Sequence, residues 1–123
     1  MPCSLLPFAD TPGVCDMCGT VLAPRRRRWC SRACNYRHTI NHRWTQARRE
    51  ARRRDGHRCR TCSSAVRLEV NHIVPRVGQG YGWGCHHHLS NLETLCHSCH
   101  VKVTNEQAAA RRVLSYAGEQ ATA

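Results

Sequence analysis

Ten cysteines in 123 residues constrain this chain more than any other feature. Six of them form three CxxC pairs, Cys15/Cys18, Cys59/Cys62 and Cys96/Cys99, and Cys30 and Cys34 add a fourth pair one residue wider. Paired spacing of this kind favours metal over a disulfide framework. The core cannot substitute for such cross-links, because one Phe, three Trp and three Tyr leave little apolar bulk to bury, and chains with thin cores rely on disulfides or metals. At this length one compact unit, or two very small ones sharing a face, is expected. The start "MPCSLLPFADTPG" has neither the basic region nor the apolar run of a signal peptide, and no later stretch is apolar enough to span a membrane. The expected location is therefore a reducing cytoplasm, in which thiolates bind zinc.

Nineteen Arg plus Lys oppose eight Asp plus Glu, a net charge of +11, and all the cations but Lys102 are Arg. Two Zn²⁺ ions each held by four thiolates would lower this to about +7. Arginine suits bidentate contacts to phosphate, so a nucleic acid is the expected partner.

Residues 1–13 hold three Pro and read as a disordered lead, with Cys3 in it as a free thiol. In "CDMCGTVLAPRRRRWCSRAC", Cys15, Cys18, Cys30 and Cys34 are spaced as two knuckles around the basic tip Arg25, Arg26, Arg27 and Arg28, a strong zinc signal. Gly19 allows the knuckle to turn, and Ser31 can cap the helix that carries Cys34. From there Tyr36, Ile40, Trp44, Ala47 and Ala51 make one helical stripe, best read as core packing. Arginines including Arg48, Arg49, Arg52 and Arg53 cover the rest of that helix, which should stop at Gly56. A knuckle at Cys59/Cys62 and a strand through "EVNHIVP" follow, with Arg76 as a further phosphate candidate. Four Gly in the seven positions 78–84 then interleave with Tyr81 and Trp83, which either stack on bases or tack the loop to its own scaffold. The last CxxC pair opens a helix, with a flexible tail over 113–123.

The second zinc set, Cys59, Cys62, Cys96 and Cys99, would clamp a knuckle to a helix start and fix everything between. Hydrolysis of a phosphodiester needs a base, a metal to offset charge, and a group to orient the base. His72 on the strand, Asn91 before the helix and His100 on it supply such a trio. "EVNHIVP", "LSNLETLC" and "CHSCH", entered through "RDGHRCRTC" with Trp44 upstream, resemble the HNH endonucleases over residues 44–112.

That resemblance implies a small α+β, zinc-stabilised chain with a ββα-metal (treble-clef) domain at 44–112, before which the spacing of Cys15, Cys18, Cys30 and Cys34 sets a four-Cys zinc module and the start of the basic helix over 14–43. It implies His72 as general base, Asn91 as the residue holding the cradle, and His100 with Asn71 as ligands of one catalytic divalent ion, Mg²⁺, Mn²⁺, Ni²⁺ or Zn²⁺. The substrate would be DNA, cut to a 5′-phosphate and a 3′-hydroxyl. Asn71 departs from the family's usual Asp, and a neutral amide oxygen favours a softer ion than Mg²⁺. Cys85, His86, His87 and His88 crowd the same region; they could replace the missing ligand, but clustered histidines beside a Gly-rich loop are expected to be exposed and idle. His97 is expected as a bystander or a supporting donor. The main rival to a nuclease is a non-catalytic DNA-binding protein whose site has decayed at Asn71.

Overall fold

The computed structural model describes residues 3–75 and 82–122, the last five by their backbone. Its elements run α1 (Arg32–His42), α2 (Trp44–Arg54), β1 (Leu68–His72), two 3-10 turns (Cys85–His87 and Leu89–Asn91), β2 (Leu92–Cys96) and α3 (His97–Thr122). The described residues thus make a small α+β chain with one two-stranded sheet and three helices. They divide into two units, Met1–Ala51 with His72–Leu92, and Arg52–Asn71 with Glu93–Ala123. No described helix is long and apolar enough to cross a membrane.

In the first unit the chain from Cys3 is a run of turns, with Leu6 N–H on the Cys3 carbonyl (3.1 Å) and Phe8 N–H on that of Asp16 (3.0 Å). Residues 3–13, expected as a disordered lead, are described here as this series of turns. The knuckle closes through Gly19 N–H to the Cys15 carbonyl (2.9 Å) and Cys15 N–H to the Thr20 carbonyl (2.8 Å). Gly19 has φ +77°, and a Cβ there would meet the Phe8 ring at 2.9 Å, so glycine is required twice over. Ser31 caps α1, its side chain accepting from Cys34 N–H at 3.3 Å. Four of the buried side chains of this unit, His38, His42, His72 and His87, are imidazoles. Such a core must pair its nitrogens as well as pack.

The single helix expected from Cys34 to Gly56 is two helices. Arg43 breaks it in an extended conformation (φ −98°, ψ 120°), because it forms a β-bridge with Trp83. Gly84 N–H reaches the His42 carbonyl at 2.9 Å and Trp44 N–H that of Gly82 at 3.4 Å. These bonds replace the ones a continuous helix would make. Ala47 and Ala51 of the expected stripe are fully buried, whereas Tyr36 is 54% exposed and bonds Glu50 at 3.5 Å.

In the second unit α2 stops where Gly56 was expected to end it. Gly56 adopts φ +67°, and His57 N–H and Gly56 N–H bond the Arg52 and Arg53 carbonyls at 2.9 and 3.1 Å, a Schellman termination. The Cys59 knuckle repeats the bonds of the first: Ser63 N–H to the Cys59 carbonyl (2.9 Å) and Cys59 N–H to the Ser64 carbonyl (2.8 Å). Here Ser63, not glycine, takes the left-handed position at φ 64°. The bond from His97 N–H to the Arg67 carbonyl (2.9 Å) sets β1 against β2 in antiparallel register. Leu95, Cys59 and Cys96 form the core, with Leu68, Cys99 and Val103 against it. Two of its three fully packed members are zinc-type ligands, so this unit has almost no apolar core of its own. Beyond Val103 α3 is largely solvated, and it runs to Thr122 through the segment expected as a tail; Ala108, Ala109, Ala110, Arg111 and Arg112 are strong helix formers.

Candidate functional site

Two four-sulfur sets stand where the CxxC spacing put them, Cys15, Cys18, Cys30 and Cys34 in the first unit and Cys59, Cys62, Cys96 and Cys99 in the second. Within each, all ligand atoms lie within 4.8 Å of one another. The Cys18–Cys30, Cys30–Cys34 and Cys62–Cys96 sulfurs are 3.4, 3.7 and 3.6 Å apart. A disulfide needs about 2.05 Å, whereas zinc with bonds of about 2.3 Å separates its sulfurs by roughly 3.8 Å. The donors therefore fit tetrahedral zinc.

Their acidities follow from the same crowding. The Thr20 hydroxyl and amide hold the Cys18 thiol down at about 6. Burial pushes Cys34 up to about 12. In the other set burial raises Cys59, but the amides of Cys96, Cys62 and Thr61 outweigh it and leave the thiol at about 6. The Cys96 side chain, then burial, push Cys99 up to about 12. Adjacent sulfurs resist carrying charge together, and a divalent cation removes that conflict.

Of the residues singled out for catalysis, His72 and Asn91 lie in the first unit. His72, 8% exposed, stacks on Trp44 at 4.9 Å between centroids. Its Nε2 is 3.0 Å from Nδ1 of the fully buried His87. Asn91 works through its amide: Oδ1 accepts from Val74 N–H (2.8 Å), while Nδ2 donates to the His86 and Val74 carbonyls (2.9 and 3.2 Å). Its carbonyl accepts from Ile73 N–H at 2.8 Å. The asparagine thus ties the chain just after His72 to the turn that carries His87. The histidine run is not idle surface, since His87 is buried and His88 turns inward toward Cys3 and His42.

Asn71 and His100 lie in the second unit. Asn71 Nδ2 donates to Glu93 Oε1 at 3.1 Å, which leaves its Oδ1 as the possible ligand atom. His100 Nδ1 is 3.4 Å, and His97 Nδ1 3.2 Å, from the Glu69 carboxylate. Burial pushes the Glu69 carboxyl up, but these two imidazoles outweigh it and hold it below its ordinary range. Glu69, unremarked in the sequence, thereby gives His100 the carboxylate partner that metal-ligating histidines use, with Nε2 left as the donor to a metal.

The basic tip lines an open groove with Trp29, Ser31, Arg32 and Asn35 at the start of α1. A helix N-terminus flanked by arginines suits phosphate. Arg28 is partly committed elsewhere, bonding Asp16 at 2.8 Å and lying 4.5 Å over Trp29. Arg48, Arg49 and Arg53 are exposed, whereas Arg52 is half-buried. Trp83 stacks on His38 at 5.5 Å, so it tacks the loop to its scaffold; Arg76 and Tyr81 lie outside the described residues.

Fold and sulfurs together define a small α+β chain built around zinc-type clusters. Residues 59–106 match the HNH endonuclease family, inside the span over which the sequence resembles it. No curated protein and no solved structure matches the chain.

Proposed function

We propose that this chain is a metal-dependent HNH endonuclease that hydrolyses DNA phosphodiester bonds, with a ββα-metal, treble-clef domain over residues 44–112 and a zinc module over 14–43. The observation that carries the reading is the family match at 59–106, which contains the whole set Cys59, Cys62, Cys96 and Cys99 as well as His72, Asn91 and His100.

In this reading Cys59, Cys62, Cys96 and Cys99 would hold a structural zinc, and His100 and Asn71 would hold a second divalent ion, which when bound would supply positive charge to offset that on the phosphate and the leaving 3′ oxygen. His72 accepts the proton of the attacking water. Its hydrogen bond to His87 and the plane of Trp44 hold its ring, so the base is held in one orientation before substrate arrives. Asn91 holds the turn that carries His87 and so acts as a positioning residue. Glu69 orients His100. Arg25, Arg26 and Arg27, with Arg48, Arg49 and Arg53, grip backbone phosphate, contacts that position a duplex without reading its sequence.

Plasmid nicking with Mg²⁺, Mn²⁺ and Ni²⁺ tests the proposal. The wild type should cut with at least one of them. His72→Ala should still shift DNA while cutting at least about a hundredfold more slowly, the usual share of a general base; undiminished cutting would remove His72 from that role. A second reading, a DNA-binding protein without catalysis, is favoured by the neutral Asn71 and its commitment to Glu93. DNA shifts with no cleavage under any metal would establish it instead.

A further inference from the structure

Cys3, His42, Cys85 and His88 come from three distant stretches of the first unit and bring one ligand atom each to within 4.8 Å of the other three. We propose that they bind a third structural Zn²⁺, in a Cys₂His₂ site separate from both four-cysteine sets and from the proposed active site.

The distances support a common centre. Cys3 Sγ is 3.2 Å from His42 Nε2 and 3.4 Å from His88 Nε2, and the two Nε2 atoms are 3.1 Å apart. Zinc–nitrogen bonds are about 0.2–0.3 Å shorter than zinc–sulfur bonds, so a mixed set should be tighter than a four-sulfur one. The spacings among Cys3, His42 and His88 follow this, against 3.4 and 3.7 Å for sulfur pairs of the first set.

The imidazole of His42 is already prepared as a ligand. Its Nδ1 lies 2.8 Å from the His38 carbonyl, and a carbonyl only accepts, so Nδ1 carries the hydrogen and Nε2 presents its lone pair. This is the supporting bond that metal-ligating histidines make. The His42 and His88 rings meet edge to face at 4.7 Å, and both present Nε2 to the Cys3 sulfur. Cys85 and His88 sit three apart on a 3-10 turn, a knuckle-like spacing that presents two ligands from one short segment.

Four protein ligands leave no open position, so the ion is structural. It would pin the otherwise turn-only start of the chain to the end of α1, and hold both ends of the segment 85–88, between which His87 reaches His72. Closing loops of this length through a metal contributes directly to folding.

The test is the metal content of the full-length reduced protein, loaded with zinc and then passed over a chelating resin that strips an ion held by Asn71 and His100 alone, with Cys3→Ser and His88→Asn beside the wild type. The wild type should hold three equivalents and each variant two. Cobalt substitution should add to the wild type, over either variant, absorption of a tetrahedral site with two sulfurs rather than four. Cys3 lies in a segment of turns and serves neither four-sulfur set, so Cys3→Ser decides the matter if His88→Asn fails to fold. Two equivalents in the wild type, three retained by Cys3→Ser, or a Cys3–Cys85 disulfide in place of the metal would each overturn the proposal. None of these outcomes depends on whether the protein cleaves DNA.

Discussion

At Asn71 the side-chain amide donates to Glu93, so an aspartate in its place would confront a carboxylate with nothing between them. The cost of that pair would be removed by a divalent ion, to which an anionic oxygen is also the better ligand. Asn71→Asp is therefore expected to lower the Mg²⁺ concentration giving half-maximal nicking about tenfold, some 1.4 kcal/mol, while lowering the melting temperature without divalent metal. Unchanged metal dependence in a nicking titration would exclude Asn71 as a ligand. Ser63 offers a simpler test. It occupies at φ 64° the position that Gly19 holds at φ +77° in the equivalent knuckle, and left-handed backbone costs a side chain about 1 kcal/mol. Ser63→Gly should stabilise by roughly 0.5–1 kcal/mol in urea denaturation, and a loss of stability would mean that the two knuckles are not equivalent. His72, Asn91 and His100 were singled out by the sequence because each lies in a short motif. Glu69 and His87 were not, because nothing local marks the residue that will orient a histidine from across a strand or a turn.

Elements were legible where their signals are local. Ser31 and Gly56 bound the helical region as their chemistry requires, but periodicity ran straight through Arg43. The break there comes from pairing with Trp83, 40 positions along the chain, which no local pattern encodes. A comparable tertiary tie joins the end of α2 to β2. Asp55, its side chain 5% exposed, accepts from Thr94 N–H at 3.0 Å and from Arg54 at 3.0 and 3.1 Å. Burial raises its carboxyl, but the Arg54 and Thr94 bonds outweigh it and bring it below the ordinary 3.8. A depressed folded value means that the unfolded chain takes up the proton first. The stabilisation is thus complete above the unfolded value and drains away as the pH falls through 3.8 toward the folded one. Asp55→Asn should cost about 1–2 kcal/mol at neutral pH. The gap to the wild type should stay constant down to about pH 5 and close below it. A gap that instead widened on acidification would show that the carboxylate is not the stabilising form.

For the whole molecule, charge and metal content have to be read together. The formal +11 falls to about +7 once two four-thiolate zinc sites form, and a Cys₂His₂ site, being neutral overall, leaves it there. A cationic surface of that size makes affinity for a duplex strongly salt-dependent, with the slope of log K against log salt set by the number of phosphates engaged, about 0.9 for each. The arginines do not contribute equally. Arg25, Arg26 and Arg27 are exposed along the groove at the start of α1, whereas Arg28 already bonds Asp16 and covers Trp29. Replacing Arg25, Arg26 and Arg27 together by Gln should reduce the slope by about 2–3, weakening binding alike on unrelated sequences. Arg28→Gln should change the slope by less than one, yet lower the melting temperature, because Asp16 then loses its partner beside the first knuckle. Fluorescence anisotropy on two unrelated duplexes between about 50 and 200 mM salt measures both. Equal slopes for the triple variant and the wild type would move the DNA-binding surface away from the α1 groove to the remaining arginines.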